Sequence, residues 1–181
     1  MSNPARVVVL AEDSCQQRFA HRYLEHLGHS FRDIRFSPMP SGRGSGEQWV
    51  RKKYAEEVRD HRRRATRAEK ALVVLIDTDT QTVVERQNQL RKELTAANSD
   101  PRGDAERTAH LIPKWCIETW ILCLTGGTVD EDADYRREKN IGPRIAKAAA
   151  TFFDWSRPNA TTPAHSIPSL TSAIPEIQRL E

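Results

Sequence analysis

The stretch VVLIDTDTQT, residues 73–82, leads from an apolar run directly into two acidic side chains, Asp77 and Asp79. An aliphatic, β-branched run of this length predicts a strand that is buried on both faces. The two carboxylates at its end have two interpretations. They either cap the helix that follows, or they form one half of a metal site. The choice depends on what stands at the ends of the other strands.

Short apolar runs and amphipathic segments alternate along the first two thirds of the chain. The predicted strands are RVVVLA (6–11), DIRF (33–36), KALVVLID (70–77) and RTAHLI (107–112). The predicted helices are one with a Ser14–Gln17 capping box, one over 47–69, one capped by Thr82 and Glu85, and one from Pro113 to Gly126. This alternation predicts a three-layer, Rossmann-like α/β fold with about four parallel strands and helices on both faces.

The organisation expected is one α/β domain over residues 1–128 with a C-terminal helical extension over 129–181 packed on it. The net charge is +3, and the three cysteines lack CxxC spacing, which is typical of reduced thiols in a cytoplasmic protein. The longest apolar run, 117–124, contains an acidic residue and is too short to span a bilayer. We therefore expect no membrane partner.

Glu12 directly follows the first predicted strand, just as Asp77 and Asp79 follow the third. Adjacent parallel strands lie about 4.8 Å apart and end at the same edge of a sheet, so these carboxylates are expected to converge. Grouped carboxylates repel one another unless a cation is present, and Mg²⁺ (or Mn²⁺) is the usual partner of such hard oxygen ligands. The alternative that Asp79 caps the helix at residue 82 stays open.

Glu118 falls in the middle of the helix predicted from Pro113 to Gly126, among apolar residues that indicate a buried segment. A buried carboxylate without a partner costs several kcal/mol. Two partners are compatible with the sequence. Lys114, four residues earlier, would form a local ion pair, or Glu118 would point at the metal site or a basic group beside it.

Three segments carry a resemblance to a known family: VVVLAEDS (7–14), LVVLIDTDT (72–80) and IPKWCIETWILC (112–123). Their order and spacing resemble the Toprim fold. More narrowly, they resemble the small stand-alone Toprim-like proteins related to OLD-family and RloB-type nucleases of bacterial defence systems. The resemblance implies that Glu12 transfers a proton and that Asp77 and Asp79, with Glu12, bind Mg²⁺. It also implies that Glu118 belongs to the same acidic pocket and takes part in catalysis.

The chain departs from that pattern at several positions. Asp13 stands where Toprim chains usually have glycine, Gln16 and Gln17 stand where many have an aspartate, and no glycine follows Asp79. These departures leave open an inactive or repurposed site, and Asp13 in the glycine position favours the alternative of a subunit that kept the fold and lost the chemistry.

Basic residues are concentrated between the second and third predicted strands. Phosphate backbones are the expected partner of such a segment. The residues predicted to bind nucleic acid are Arg43, Arg51, Lys52, Arg59, Arg62 and Arg63. The alternative is a solvated helix with pairs such as Lys52–Glu56. His110, near the end of the fourth strand, has two interpretations as well: a residue that assists a site, or a structural histidine.

The acidic residues and the basic segment, together with the Toprim-like resemblance, predict a Mg²⁺-dependent nuclease that cleaves phosphodiester bonds in DNA or RNA. The resemblance further implies a subunit of an anti-phage defence system, accompanied by a larger partner such as an ATPase. One alternative is a non-catalytic nucleic-acid-binding or assembly subunit. Another is a haloacid-dehalogenase-like phosphatase, which fits poorly because Gln81 stands where that motif requires threonine.

Overall fold

The computed structural model describes residues 6–40, 45–65 and 70–181. A single four-stranded sheet has the order β2-β1-β3-β4, and every neighbouring pair is parallel. The strands are β1 (Arg6–Ala11), β2 (Ile34–Phe36), β3 (Lys70–Leu75) and β4 (Thr108–Leu111). The predicted α/β fold with four parallel strands is confirmed.

Helices cover both faces of this sheet. They are α1 (Ser14–His26), α2 (Gly46–Ala65), α3 (Val83–Ala96), α4 (Ile117–Leu124), α5 (Ile145–Ser156) and α6 (Pro168–Ile177). Side chains of β1 alternate between two hydrophobic clusters, with Val7 and Val9 in one and Val8 and Leu10 in the other. The first cluster includes residues of α1, α4, α5 and α6, and the second includes residues of α2 and α3, which gives the three layers.

The order in which the chain forms its strands reverses direction at the centre of the sheet. From β1 the chain passes through α1 to β2 on one side, and from β3 it passes through α3 to β4 on the other. The long helix α2 joins the two halves. The reversal lies between β1 and β3, and open α/β sheets bind ligands outside the carboxyl ends of the strands at such a switch point.

The C-terminal helices complete the core and cover one edge of the sheet. Helix α5 packs on α1 and α4, and α6 packs on β4. Glu176 of α6 forms an ion pair with Arg102 and accepts the backbone N–H of His110 at 2.8 Å. The Arg102 guanidinium also donates to the carbonyl of Thr108 at 2.8 Å. These contacts satisfy polar groups that an edge strand would otherwise leave exposed.

Helix α4 begins at Ile117, so the prediction that it begins at Pro113 was wrong. The backbone N–H of Thr78 donates to the carbonyl of Pro113 at 3.0 Å, and the N–H of Trp115 donates to the Thr78 hydroxyl at 3.0 Å. Trp115 also has a positive φ of 62°. Residues 113–116 are therefore held in a non-helical path by the loop that follows β3.

Two helix caps were predicted, and one was correct. Thr82 and Glu85 form the expected capping box of α3. At α1 the cap is Asp13, whose carboxylate accepts the N–H of Gln16 at 2.8 Å, and the predicted Ser14–Gln17 box does not form. Helix α2 begins one residue earlier than predicted, and its predicted end at residue 69 lies outside the described residues.

Within the described ranges, none of the helices combines the length and the apolar character that crossing a membrane requires.

Candidate active site

Glu12 and Asp77 meet at the switch point between β1 and β3. Their strands are paired with Ala11 opposite Leu75, so both residues leave the sheet at the same edge. Oε1 of Glu12 accepts the backbone N–H of Asp77 at 2.7 Å. Asp77 is only 5% exposed. Two of the carboxylates singled out in the sequence are therefore neighbours in the structure.

Gln16, in the first turn of α1, connects the two acidic residues. Its side-chain nitrogen donates to Oδ1 of Asp77 at 2.8 Å, and its side-chain oxygen accepts the backbone N–H of Glu12 at 2.9 Å. Gln16 is fully buried. One amide therefore fixes the positions of both carboxyl-bearing segments. In the sequence, Gln16 was noted only as a departure from the Toprim pattern. Its bridging role could not be predicted there, because it depends on the turn that brings α1 over the end of β1.

The two carboxyl groups hold protons more tightly than free side chains do. Burial raises the pKa of Glu12 to about 8, against the opposing effect of the Asp77 N–H, and the charge of Asp79 raises it further. Burial, followed by the charge of Glu12, raises the pKa of Asp77 well above its usual range. A buried carboxyl and a half-buried neighbour whose charge raises its pKa cannot both ionise easily without a cation. Near neutral pH the pair therefore retains a proton.

Asp79 does not join this pair through hydrogen bonds. Its φ is 54°, and its carboxylate contacts the guanidinium of Arg136 and that of Arg86, the latter at 3.4 Å. It does not cap α3, because Thr82 does. In the described ranges, no three His, Cys, Asp or Glu side chains form a group that could hold a metal ion.

Arg86 is the main residue of this region that sequence analysis missed. It is 2% exposed, and its guanidinium contacts Glu47, donates to Gln89 at 2.7 Å and donates to the carbonyl of Thr78 at 3.2 Å. Its Nε is buried without a hydrogen-bond partner among the described residues. Its positive charge acts on Glu12, where it opposes the rise in pKa. The available signal was its position on the apolar stripe of α3, four residues before Leu90.

Glu118 lies in the first turn of α4, and the expectation of a position in the middle of that helix was wrong. It is half-buried, and burial raises its pKa. Lys114 does not form the local pair considered above, because its ammonium group binds the carbonyl of Gln81 at 3.2 Å and Asp132 at 3.5 Å. The charge of Glu118 raises the pKa of Asp77, so Glu118 shares the acidic edge without a described hydrogen bond to the pair.

Helix α2 runs from the carboxyl ends of the strands, where the acidic residues lie, to their amino ends. At its start, a Cβ added to Gly46 would lie 2.7 Å from the carbonyl oxygen of Glu12, so only glycine fits there. At its far end, Arg62 binds Glu106 at 2.7 Å and the carbonyl of Pro101 at 2.9 Å, just before β4 begins. The basic residues of α2 are therefore distributed between the carboxyl ends and the amino ends of the strands.

Individual residues of the predicted nucleic-acid-binding set differ in their contacts. Arg51, near the start of α2, pairs with Glu47 at 2.6 Å, and Lys52 is exposed. Towards the far end, Arg59 donates to the carbonyl of Ala97 at 3.3 Å, and Arg63 pairs with Asp60 at 2.9 Å. Arg43 lies outside the described residues.

His110 is 6% exposed, and its Nε2 lies 2.9 Å from the hydroxyl of Tyr54. It lies on β4, the outer strand of the sheet, and within the described part of the chain it has no hydrogen bond to Glu12 or Asp77.

No family model, no curated protein and no solved structure matches this chain. What the site can do is therefore inferred from its own chemistry.

The carboxylate oxygens of Glu12 and Asp77 are suitable ligands for a small hard cation. In each carboxyl one oxygen is occupied, by the Asp77 N–H in Glu12 and by Gln16 in Asp77. The described residues give the second oxygen of each no hydrogen bond. Mg²⁺ is commonly held by one or two carboxylates and completes its shell with waters and substrate phosphates. Two carboxylates are therefore a sufficient protein contribution for this ion.

Proposed function

We propose that this protein is a nuclease that uses Mg²⁺ or Mn²⁺ to hydrolyse phosphodiester bonds in DNA or RNA. The observation that supports it best is the Glu12–Asp77 contact at the switch point of the sheet, in which the Glu12 carboxylate accepts the backbone N–H of Asp77 at 2.7 Å. Strongly shifted carboxyl groups at such a position are typical of functional sites.

The residues of the site have separable roles under this proposal. A bound Mg²⁺ would polarise the scissile phosphate and favour ionisation of an attacking water. Asp77, held by Gln16, would bind the ion through its second oxygen. Glu12 holds a proton near neutral pH in the metal-free protein, because its pKa is raised to about 8. It would release this proton when the ion binds and would then serve as the general base that accepts a proton from the attacking water. Glu118, whose charge acts on Asp77, would add negative charge beside the ion.

Arg86 and Arg136 would determine whether the third carboxylate, that of Asp79, is free to bind the ion. In the absence of a ligand they neutralise Asp79. A phosphate group of the substrate would compete for Arg136, which is 43% exposed and lies 5.9 Å from the Trp115 ring centroid. Release of Asp79 would give the ion a third carboxylate when substrate is present. Among the described residues, Arg51 and Lys52 lie near the start of α2, where Gly46 adjoins Glu12.

A second candidate is a non-catalytic nucleic-acid-binding or assembly subunit. The ion pairs of Asp79 favour it, because a carboxylate held by two arginines does not need a cation. Under either proposal, a larger defence-system partner such as an ATPase is suggested by the Toprim-like resemblance alone.

Cleavage assays on labelled single- and double-stranded DNA and RNA, with and without Mg²⁺ or Mn²⁺, separate the two candidates. We expect metal-dependent cleavage by the unmodified protein and a loss of at least about a hundredfold in Glu12→Gln and Asp77→Asn. Asp154→Asn, an exposed change in α5, is the control. Nucleic-acid binding without cleavage under any metal condition would support the non-catalytic candidate instead.

A further inference from the structure

Trp115 lies beside the candidate active site and outside the hydrophobic core. The other three tryptophans, Trp49, Trp120 and Trp155, belong to the two hydrophobic clusters. Trp115 is half-buried and, in the described part of the chain, belongs to neither cluster. Its backbone pairs with that of Asp79, the third carboxylate of the site. Packing in the core therefore does not account for this side chain.

The backbone of Trp115 is held in a conformation that favours glycine. Its φ is 62°, a region that bulky residues rarely adopt. The Thr78 hydroxyl accepts its N–H at 3.0 Å, and Arg136 donates to its carbonyl at 3.2 Å. The Arg136 guanidinium also lies 5.9 Å from the centre of the indole ring. A strained residue that its surroundings fix in place is typical of a functional position.

The segment that begins at Arg136 carries positive charge on the surface. Residues 136–147 contain five basic side chains and one acidic one. All five basic side chains are exposed, and they are Arg136, Arg137, Lys139, Arg144 and Lys147. Apart from Arg136, none of them forms an ion pair with a carboxylate of the described ranges. In α2, by contrast, Arg51, Arg62 and Arg63 are paired with carboxylates. The charge of residues 136–147 is therefore available to an external anion.

The same segment passes a cleft between α1 and the start of α5. The cleft has a volume of about 230 Å³ and is lined by Arg18, His21, Arg22, Gly142, Ile145 and Ala146. Arg18 and Arg22 are both exposed, and their spacing of four residues places them on one face of α1. Arg18 donates to the carbonyl of Gly142 at 3.4 Å. A row of cations therefore extends from Arg136, beside Asp79, to the two arginines of α1.

We propose that this face binds a single-stranded nucleic acid, with one base stacked on the Trp115 indole and the backbone phosphates along the basic residues from Arg136 to the α1–α5 cleft. Proteins bind single strands by this combination of an aromatic ring and a row of cations, because every base has a flat face and every nucleotide a phosphate. A duplex keeps its base faces stacked, and an acidic peptide does not require the indole. Stacking tolerates any base, so the face accepts DNA and RNA alike.

This proposal deepens the proposed function and rests on it, because it makes a single strand the substrate of the acidic pair. The charge of the chain also gives the strand a direction. Residues 130–134, which precede Arg136, contain four acidic side chains and no basic one. They repel phosphates, so the strand extends from Trp115 towards Gly142 and not along residues 130–134.

Fluorescence anisotropy with labelled oligonucleotides of about twelve nucleotides tests the proposal on the full chain. EDTA is present, so binding is measured without metal-dependent cleavage. At about 50 mM salt we expect single-stranded DNA or RNA to bind at least about tenfold more tightly than a duplex of the same length. A duplex or polyglutamate that binds as tightly as the single strand would overturn the proposal. An absence of binding at about 100 μM protein would overturn it as well.

Replacement of the indole tests the stacking. Trp115→Gly removes the ring and suits the positive φ, so the variant should keep its fold. We expect it to bind the single strand at least about fivefold more weakly. Trp115→Tyr keeps a ring on which a base can stack and should retain most of the affinity. Unchanged affinity in Trp115→Gly would contradict the assignment.

Replacement of single arginines tests the path of the backbone. Arg18→Ala and Arg144→Ala should each weaken binding and reduce the slope of log affinity against log salt by about 0.7. Arg63→Ala, at an exposed and paired position towards the far end of α2, is the matched control and should change neither quantity. Weaker binding in Arg63→Ala, with none in the other two variants, would assign the strand to α2 and overturn the proposal.

Failure of this proposal and failure of the nuclease proposal give different results. Metal-dependent cleavage by a protein whose strand binding is unaffected by Trp115→Gly, Arg18→Ala and Arg144→Ala would overturn the binding face and leave the nuclease intact. Strand binding that depends on these residues, without cleavage under any metal condition, would support the binding face and the non-catalytic candidate.

Discussion

The carboxylate of Glu12 accepts the backbone N–H of Asp77 at 2.7 Å, which joins the ends of two adjacent parallel strands. The contact spans 65 residues of sequence. It arises because β1 and β3 are paired in register up to Ala11 and Leu75. The pair therefore depends on the sheet itself and not on a mobile loop.

The pH dependence of stability should reveal the acidic pair. The pKa of Glu12 is about 8 in the folded protein against an ordinary value of 4.5, so folding favours the protonated form. This contribution to stability is fully present below about pH 4.5 and is lost as the pH rises through about 8. Glu12→Gln lacks it. We expect the variant to be more stable than the unmodified protein at pH 8 and similar at pH 4.5, as measured by urea unfolding without metal.

The comparison is made between two proteins that share all histidines, because burial also lowers the pKa of His29, His61 and His110. A difference between the two proteins that does not change between pH 4.5 and pH 8 would contradict the buried protonated pair.

Arg86 should be essential for stability at the end of β3. Arg86→Ala would leave Glu47, which is only 15% exposed, with Arg51 as its remaining arginine, and it would release the carbonyl of Thr78. Breaking a buried ion pair from one side costs about 3 kcal/mol or more. Lys92→Ala on the same helix should change the free energy of unfolding by less than about 0.5 kcal/mol. Equal effects of the two changes would show that the Arg86 contacts contribute little.

Arg136→Ala should separate stability from metal binding. Arg136 and Asp79 are both about two-fifths exposed, so their ion pair contributes less than about 1 kcal/mol to stability. The change frees Asp79 from one of its two arginines. We expect Mg²⁺ affinity, measured without nucleic acid, to increase several-fold. An unchanged affinity would show that Asp79 takes no part in holding the ion.

Arg62 should behave as a structural residue. Its guanidinium binds Glu106 and the carbonyls of Asp100 and Pro101, and so fixes the turn before β4. Loss of several charge-assisted hydrogen bonds should lower the free energy of unfolding by about 2 kcal/mol in Arg62→Ala. Lys52→Ala, at an exposed position of the same helix, should leave stability unchanged. If Arg62→Ala instead weakens nucleic-acid binding and leaves stability intact, the residue belongs to a binding surface.

The fold was predictable because its strands are short, apolar and regularly spaced by amphipathic helices. β1 was predicted with its observed bounds, and the parallel arrangement follows from the helical crossovers. The same reasoning placed Glu12 and Asp77 at one edge, since parallel strands share a carboxyl edge. These are properties of local pattern and topology, which the sequence contains.

The arrangement around Asp79 was not predictable from the sequence pattern. Its side chain is directed by the backbone turn at φ 54° and by Arg136, which lies 57 residues later in a segment of mixed charge. Similarly, α4 starts at Ile117 and not at the predicted Pro113, because Thr78 forms hydrogen bonds with the backbone on both sides of Lys114. Such long-range polar contacts carry no periodic signal and override local helix propensity.

Proton release on Mg²⁺ binding tests the central claim most directly. A cation held by Glu12 and Asp77 must displace the proton that the pair retains near neutral pH. Calorimetric titration at pH 7 in two buffers of different ionisation enthalpy measures that proton. We predict release of about one proton per Mg²⁺ bound by the unmodified protein. Mg²⁺ uptake without proton release, or no uptake at about 10 mM, would contradict the claim.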